Sequence, residues 1–414
     1  MFKKRKVLGA LAIFIIIFLM TLSYFINVLS SENEAGRAHQ ISGYEAKILM
    51  KLYNLPKYYH IKPEYYDNIT ETFVKSLKRS ERDMKSVWQD VNAAVSKQGL
   101  FKIANTYLGD ALHALQAGRI IKADLDKRGT QLKLLLTLEG GATVIFKPKW
   151  YFKEKVIQGP VYAGKDRHVS EILAFYLSAV LNKPFVPISV QRQINLNTEI
   201  VPVATEQLLQ TKFIKKNLTC IYGKCFYCKK EDPICADLSG NLVGTVILNL
   251  DVNLKNNRSP WQRTYKNNKK ALWEIKDDYC KSLNGKISKK RLYDLVDTAI
   301  FDFLIQNGDR HHYETLDDRV VWIDNGKGLG NPNIHHIDIL APLYQCCMLR
   351  ADTWTRLQAL AGGMLSEKIR KMPDLEEIIW TQHFAAMDQR LLIIFATVEF
   401  CKNKNKENHG NQGF

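Results

Sequence analysis

Two carboxylates fifteen residues apart carry the most specific chemistry in the sequence. Asp309 lies in Asp309-Arg310-His311-His312-Tyr313-Glu314, and Asp324 in Ile323-Asp324-Asn325-Gly326. One can accept a proton from an attacking hydroxyl while the other holds a divalent metal on a nucleotide's phosphates, which is the division of labour that phosphoryl transfer requires. An Asp-Arg-His run alone is more often a polar surface turn. Here it follows the apolar stretch Ala299 to Ile305, and a short strand, Val320 to Ile323, delivers Asp324 to a glycine-containing loop. The same chemistry needs a cation on the phosphates, held by an acidic residue on a helix. Lys147 ends a candidate strand and Glu171 lies in the helix that follows. Taken singly, both are commonly solvated surface groups. Together with Asp309 and Asp324 they give phosphate anchor, helix carboxylate, base and metal ligand in that chain order.

Ordinary kinase signatures are missing. No G-x-G-x-x-G loop is present, and only Gly129 stands in the turn before Gln131. Glu314 occupies the position, five residues after the base, where an ordinary protein kinase places an Asn on the second metal. A carboxylate there suits a second metal or a nucleotide hydroxyl. His311 and His312 suit packing and loop-fixing better than metal ligation.

These residues must be positioned by two kinds of element. From Tyr44 to about Ala117 the apolar spacing is helical, giving an N-terminal extension that packs on the main domain or on another subunit. The period changes at Ile120. Ile120 to Asp124, Gln131 to Leu138 and Thr143 to Pro148 read as strands, with a hairpin signal at Gly140-Gly141. Asp166 to Leu181 reads as a helix, with Ile172, Phe175, Tyr176, Ala179 and Val180 on one stripe. Val186 to Val190 and Val201 to Ala204 read as further strands, and Val243 to Leu250 is an apolar run. After Lys289 the pattern is mainly helical, notably Arg291 to Ile305 and Ala385 to Val398. Strands first and helices later make an α+β protein in two lobes.

At 414 residues the chain can form one large bilobal domain or two ordinary ones. Its 46% apolar and 24% charged residues are those of a globular protein. A net charge of +17 asks for an acidic partner. No nucleic-acid module is recognisable, so nucleotide phosphates and an acidic glycan or peptide are favoured over nucleic acid.

Lys3 to Lys6 form a basic cluster before the apolar run from Val7 to about Ile26, long enough for a bilayer-spanning helix. The charge distribution puts the body of the protein in the lumen, with an uncleaved signal anchor favoured over a cleaved peptide. The expected organisation is a cytoplasmic tail 1–6, an anchor 7–29, a stem 30–43, the helical extension 44–117, a strand-rich lobe 118–245, a helical lobe 246–401 and a disordered basic tail 402–414. Eight cysteines in an oxidising lumen imply four disulfides. Nested pairs Cys220–Cys235 and Cys225–Cys228 would staple a small loop. Cys346 and Cys347 are adjacent and should reach Cys280 and Cys401 separately. Which takes which is open from sequence, and Cys280–Cys346 with Cys347–Cys401 is the working assignment. Asn68 and Asn217 are glycan acceptors in this topology, whereas Asn257 is weakened by Pro260.

The stretches Lys127 to Lys133, Phe146-Lys147-Pro148-Lys149, Tyr162 to His168, Asp309 to Glu314, and Leu340 to Cys347 resemble the atypical secretory-pathway kinases, the family of the Golgi casein kinase, its pseudokinase partner and a glycosaminoglycan xylosylkinase. The resemblance runs from about Gly118 to Cys401. Pro202 to Leu209 and the loop Cys220 to Cys235 are most similar to the xylosylkinase branch. It implies an atypical bilobal protein-kinase-like fold using ATP with Mn²⁺ or Mg²⁺. Asp309 would be the catalytic base, Gln131 and Lys147 phosphate contacts, and Asp166 and Asp324 metal ligands. Glu314 would lie near the nucleotide, and Ile247, Leu248, Asn249 and Leu250 would form the adenine hinge. An acid at position 166 resembles the active members, since the pseudokinase has Gln there. Val169-Ser170 in place of Asn-Ala, and Gln306-Asn307-Gly308 where the family favours Gly-Asn, depart from the pattern conservatively.

The resemblance further implies a Golgi, single-pass type II enzyme that phosphorylates the xylose 2-hydroxyl in the galactose–xylose linkage of nascent proteoglycans. Trp354 is the candidate sugar platform, with a packed core residue as the competing reading. A secreted-protein serine kinase acting on Ser-x-Glu motifs and a pseudokinase scaffold are the alternatives. The N-terminal helices offer a surface for a homo- or heterodimer.

Overall fold

In the computed structural model the described residues are 43–64, 67–266 and 269–409. The expected cytoplasmic tail, membrane anchor and nearly all of the stem lie outside them. Among the described residues no helix is long and apolar enough to cross a membrane. Residues 48–414 form one unit. Residues 1–47 fall in another, of which only Gly43–Lys47 are described.

The N-terminal extension is helical: α1 (Gly43–Tyr53), α2 (Asn68–Ser76), α3 (Met84–Ala94) and α4 (Leu108–Ala117). Short polar side chains start α2 and α3 by accepting orphan backbone N–H groups. Asp67 takes Ile69 N at 3.1 Å and Asp83 takes Ser86 N at 3.0 Å. The extension packs within this chain. Phe73, fully buried, meets the rings of Phe101, Phe175 and Tyr176 at 6.0–6.2 Å. Asp67 also pairs with Arg356 at 2.7 Å and Lys368 at 2.8 Å in the helical lobe.

The strand-rich lobe is built on β1 (Ile120–Leu125), β2 (Leu134–Leu138), β3 (Thr143–Pro148), α5 (His168–Val180) and β4 (Ser189–Asn195). A cysteine-bearing sheet follows, of β5 (Lys212–Lys215), β6 (Leu218–Ile221) and β7 (Ile234–Cys235), and then β8 (Asn241–Leu248). The main sheet is antiparallel with order β1-β2-β3-β8-β4. It therefore extends to Leu248, three residues past the expected lobe boundary. Strand alternation buries Val144 and Phe146 in the core and leaves Ile145 and Lys147 on the cleft face. Every residue of α5 is buried, and Glu171 on it reaches Lys147 at the edge of the cleft.

Val201–Val203 forms a short 3₁₀ turn rather than the expected strand. Pro202 has no N–H for a ladder and a fixed φ, so Ala204 makes one isolated bridge to Ala123.

The helical lobe contains β9 (Lys255–Arg258), α6 (Lys289–Ile305), the hairpin β10 (His312–Leu316) and β11 (Arg319–Val321), then α7 (Ala341–Cys346), α8 (Ala351–Gln358), α9 (Met364–Arg370) and α10 (Thr381–His409). Ser288 caps α6, and Gln306 ends it in the left-handed region at φ +62°. The last helix runs to His409 through part of the tail expected to be disordered. Lys and Glu propagate helices well, and Lys402 pairs with Glu399 at 2.8 Å.

The cysteines are joined as Cys220–Cys235, Cys225–Cys228, Cys280–Cys346 and Cys347–Cys401. Cys280–Cys346 spans 66 residues and Cys225–Cys228 spans 3. The loop-entropy argument then assigns them about 4 and about 1.5 kcal/mol respectively. Double Cys→Ser replacement of the long-range pair should lower unfolding free energy in guanidinium by the larger amount. Equal losses for the two pairs would contradict the loop-length argument.

Candidate active site

The end of β3, the buried face of α5 and the loop after β11 converge on one ammonium group. Lys147 Nζ donates to Glu171 Oε1 at 2.7 Å, to Asp324 Oδ1 at 2.7 Å and to Asp166 Oδ2 at 3.1 Å. Each of its three N–H bonds thus meets a carboxylate. Burial alone would favour the neutral amine, but Asp324, Glu171 and Asp166 outweigh it and hold Lys147 charged well above the usual lysine range. Glu171 is fixed from its other side by the backbone N–H of Asn325 at 2.9 Å and by Asn325 Nδ2 at 3.2 Å. It is a structural partner with little freedom to leave.

Asp324 differs. Its side chain is 69% exposed to the cleft, although protein surrounds it on most sides. Lys147, more than any other group, pulls its carboxyl below the usual range. Its backbone sits at φ +56°, a left-handed conformation that costs energy for a non-glycine residue. Gly326, two residues on, lies where a Cβ would come within 2.6 Å of the Asp166 carboxyl carbon. The two candidate metal ligands are neighbours because that residue has no side chain.

Asp309 is held on the opposite wall by a separate set of bonds. Asn307 Oδ1 accepts from its backbone N–H at 3.3 Å, and Tyr265 Oη donates to its Oδ1 at 2.8 Å. Burial raises its carboxyl above the ordinary range, partly offset by the Tyr265 hydroxyl and the charge of Lys327. Arg310, next in sequence, is the tie between loops. It grips Asp302 of α6 through Nε at 2.6 Å and Nη2 at 2.8 Å. It also donates to Ile323 O at 2.7 Å and Asn325 Oδ1 at 2.8 Å. Arg310 therefore ties the Asp309 loop to the Asp324 loop.

Between these walls lies an open cleft of about 1600 Å³ including its open mouth. Ile145, Ile247, Leu248, Asn249 and Leu250 line its apolar end, and Lys147, Glu171, Asp309, Glu314 and Asp324 its polar end. Asn249 is anchored to Thr143 Oγ1 at 2.9 Å and to Arg128 Nη1 at 3.0 Å. Burial raises the Glu314 carboxyl. Gln131 stands beside the cleft, its Oε1 accepting from Asp166 N at 2.9 Å.

Trp354 is not brought here. Its ring packs edge-on against Phe395 at 5.7 Å and Tyr59 at 6.0 Å, with Lys402 over its face. That is the packed reading of Trp354, and as a platform beside Asp309 it has to be withdrawn. Sequence reasoning missed Tyr265 and Lys327, and Lys133, Arg310, Asn325 and Gly326 stand in its motifs without a role. The Asp309–Tyr265 pair bridges 44 positions and has no local signal.

Among the described residues no three His, Cys, Asp or Glu side chains are preassembled for a metal. The residues nonetheless fit a hard cation, since Mg²⁺ and Mn²⁺ sites on nucleotides take one or two carboxylates and complete their shell with phosphate oxygens and water. Three carboxylates against one ammonium leave the negative surplus that such a cation would neutralise.

The family described as Golgi casein kinase, C-terminal, Fam20 matches residues 86–410. The chain belongs to the Fam20 family. It is 43% identical over 388 residues to a glycosaminoglycan xylosylkinase homolog of Drosophila melanogaster, covering 91% of each chain. Among solved structures, hydra Fam20 with sugar superposes with a TM-score of 0.73 at 38% identity, over 78% of this chain and 97% of that one. The Golgi casein kinase with Mn/ADP bound gives 0.71 at 26% identity, over 86% and 90%. The bilobal α+β kinase-like fold of this Fam20 chain is thereby shared with both.

The Tyr265 contact has a pH consequence. With Asp309 as the expected base, which must be ionised to act, activity would fall as pH drops through its pKa. Tyr265 stabilises the ionised form, and Tyr265→Phe should move the acidic limb of kcat/KM to higher pH while the alkaline limb stays. An unmoved acidic limb would show that Tyr265 does not tune this group.

Proposed function

We propose that this Fam20 chain is a glycan kinase that transfers the γ-phosphate of ATP to the 2-hydroxyl of xylose in the galactose–xylose linkage of nascent proteoglycans. The observation that carries the reading is the single cleft in which Lys147 with its three carboxylates faces a separately anchored Asp309. The xylosylkinase named among its relatives supports the acceptor class, and the neighbour with Mn/ADP bound supports the nucleotide and metal.

In this reading the adenine lies against Ile145 and the hinge from Ile247 to Leu250, and Glu314 faces the nucleotide. The phosphates point to the polar end, where Lys147 and the neighbouring Gln131 anchor them. Asp166 and Asp324 would hold Mn²⁺ or Mg²⁺, which when bound neutralises charge on the transferred group. Asp309 takes the hydroxyl proton as the new oxygen–phosphorus bond forms, while the bond to the β-phosphate oxygen breaks and ADP leaves. A secondary alcohol is far too weak an acid to ionise beforehand, so the base acts only as the bond forms. The presence of lysine, helix carboxylate, base and metal ligand together disfavours a pseudokinase scaffold. A serine kinase acting on acidic peptides remains the second enzyme reading, supported by the casein-kinase relative.

The location belongs to the same proposal: a Golgi type II protein with its catalytic domain in the lumen. Four disulfides suit that compartment. Asn68 and Asn217 are exposed, as glycan acceptors must be. The exposed side chains Met50, Tyr53, Tyr58 and Ile61 offer an apolar surface for a homo- or heterodimer.

The test is transfer of labelled phosphate from ATP and Mn²⁺ to a galactosyl-xyloside against a Ser-x-Glu peptide. Labelling of the glycan is expected, and labelling of the peptide alone would overturn the reading. In the same assay Asp309→Ala should bind nucleotide normally and lose transfer by about 10²–10⁴-fold. Turnover at the parent rate would show that another group is the base.

A further inference from the structure

A hollow of about 1020 Å³ including its open mouth lies where the start of α5 meets the start of α10. It shares no lining residue with the nucleotide cleft. Its walls are the end of β3, the opening turn of α5 at His168 and Val169, and the segment Glu377 to Trp380. Phosphoryl transfer makes no use of it.

The lining is cationic. Lys149, Lys153, Lys155 and Arg167 stand against two carboxylates, Glu154 and Glu377, both on exposed residues. Lys153 Nζ donates to the Glu377 carbonyl at 2.8 Å rather than to its carboxylate. Lys149 lies over the Phe152 ring at 5.7 Å and, among the described residues, has no carboxylate partner. Two histidines, His168 and His383, line the hollow as well. Burial pushes their imidazoles down, to about 4 and about 3, so each is neutral at pH 7 and keeps one ring N–H.

The floor is unsatisfied. His383 is 3% exposed, and its Nδ1 makes no hydrogen bond. Behind it, two turns later on the same face of α10, Arg390 is fully buried. Its Nη1 donates to Leu304 O at 3.0 Å, while Nε and Nη2 have no partner. Among the described residues no carboxylate pairs with Arg390, and burial pushes its guanidinium down to about 9. Its charge acts on His383. An uncompensated buried cation is costly, and native structures satisfy such groups with water or an ion. The helix wall has the same polarity. Arg167, the N-cap of α5, makes no side-chain capping bond, so the positive end of a helix of 13 residues opens on this space.

We propose that this hollow is an anion site for an inorganic oxyanion of the phosphate or sulfate type. The Nδ1–H of His383 and the opening turn of α5 donate to the oxyanion, and Lys149, Arg167 and Arg390 supply the surrounding positive charge. Neutral donors on the floor with cations around them suit a tetrahedral anion and repel a metal ion. The anion site stands whichever acceptor is phosphorylated, and it bears on the active site through Arg167. That residue follows Asp166 directly, and its backbone N–H donates to Gly326 O at 2.7 Å. Its guanidinium donates to Gly328 O at 2.8 Å and to Lys327 O. An oxyanion here braces the start of α5 and the Asp324 loop from outside the cleft.

The test is calorimetric titration of sulfate into the full chain, with Mn²⁺ and a non-hydrolysable ATP analogue filling the cleft and chloride holding the ionic strength constant. One saturable sulfate site is expected. His383→Phe removes the donor while keeping an aromatic ring, and should weaken sulfate about tenfold or more. Lys149→Ala changes a partly exposed residue, so the variant should fold normally, keep the parental KM for ATP and weaken sulfate about threefold. In crystals grown with selenate, a selenium anomalous peak should stand beside His383 and the start of α5. The site is overturned by the absence of saturable binding once the cleft is filled, or by parental affinity in both variants. Selenate seen at crystal concentration only, with no saturation in solution, overturns it equally.

Discussion

A buried ammonium held by three carboxylates is the constraint on which the rest of this structure depends. Lys147, Glu171, Asp166 and Asp324 come from a strand, a helix and two loops, so their meeting fixes the sheet, α5 and the segment after β11 relative to one another. Removing one partner of such a buried charge set generally costs about 3–5 kcal/mol, because the remaining charge stays desolvated. The group is therefore a structural keystone as well as part of the site. Its members are not equivalent. Glu171 is locked by Asn325, while Asp324 opens onto the cleft.

The opposite wall uses the same economy. Arg310 satisfies Asp302, the carbonyl of Ile323 and the side chain of Asn325 at once. Asn325 in turn holds Glu171. A continuous chain of bonds therefore runs from α6 through Arg310, Asn325 and Glu171 to Lys147, tying the Asp309 loop to the Asp324 loop. Strain accompanies it: Asp324 adopts a left-handed backbone, and Gly326 and Gly308 have no room for a side chain against Asp166 and Val161. These features cluster where orientation matters most, as expected of a site built for positioning.

Much of this was legible in the chain. Strand alternation around Lys147, the helical stripe on α5 and the apolar run before Asp309 are local patterns, and local patterns survive folding when burial agrees with them. The spacing of the cysteines likewise suggested the nested loop. What stayed hidden depends on distant partners. Tyr265 belongs to an irregular segment with no period to read. Lys133 reads as a strand lysine in the sequence, yet it precedes β2 and lines the cleft, where its charge acts on Asp324. Trp354 stands out by resemblance alone and sits among Tyr59 and Phe395, because an aromatic at helical spacing packs unless something keeps it out. The 3₁₀ turn at Val201 shows Pro202 overriding a β-branched run.

The central claim is that the cleft carboxylates pass from lysine to a metal-bound nucleotide while Asp309 stays free for the acceptor. Anomalous diffraction from crystals of the protein with Mn²⁺ and a non-hydrolysable ATP analogue tests this most directly. The account requires a manganese peak bonded to Asp324 and Asp166 and to phosphate oxygens, with Lys147 still on Glu171 and the γ-phosphate turned toward Asp309. Manganese on any other group, or a nucleotide lying outside the cleft between Ile247 and Asp324, would contradict it.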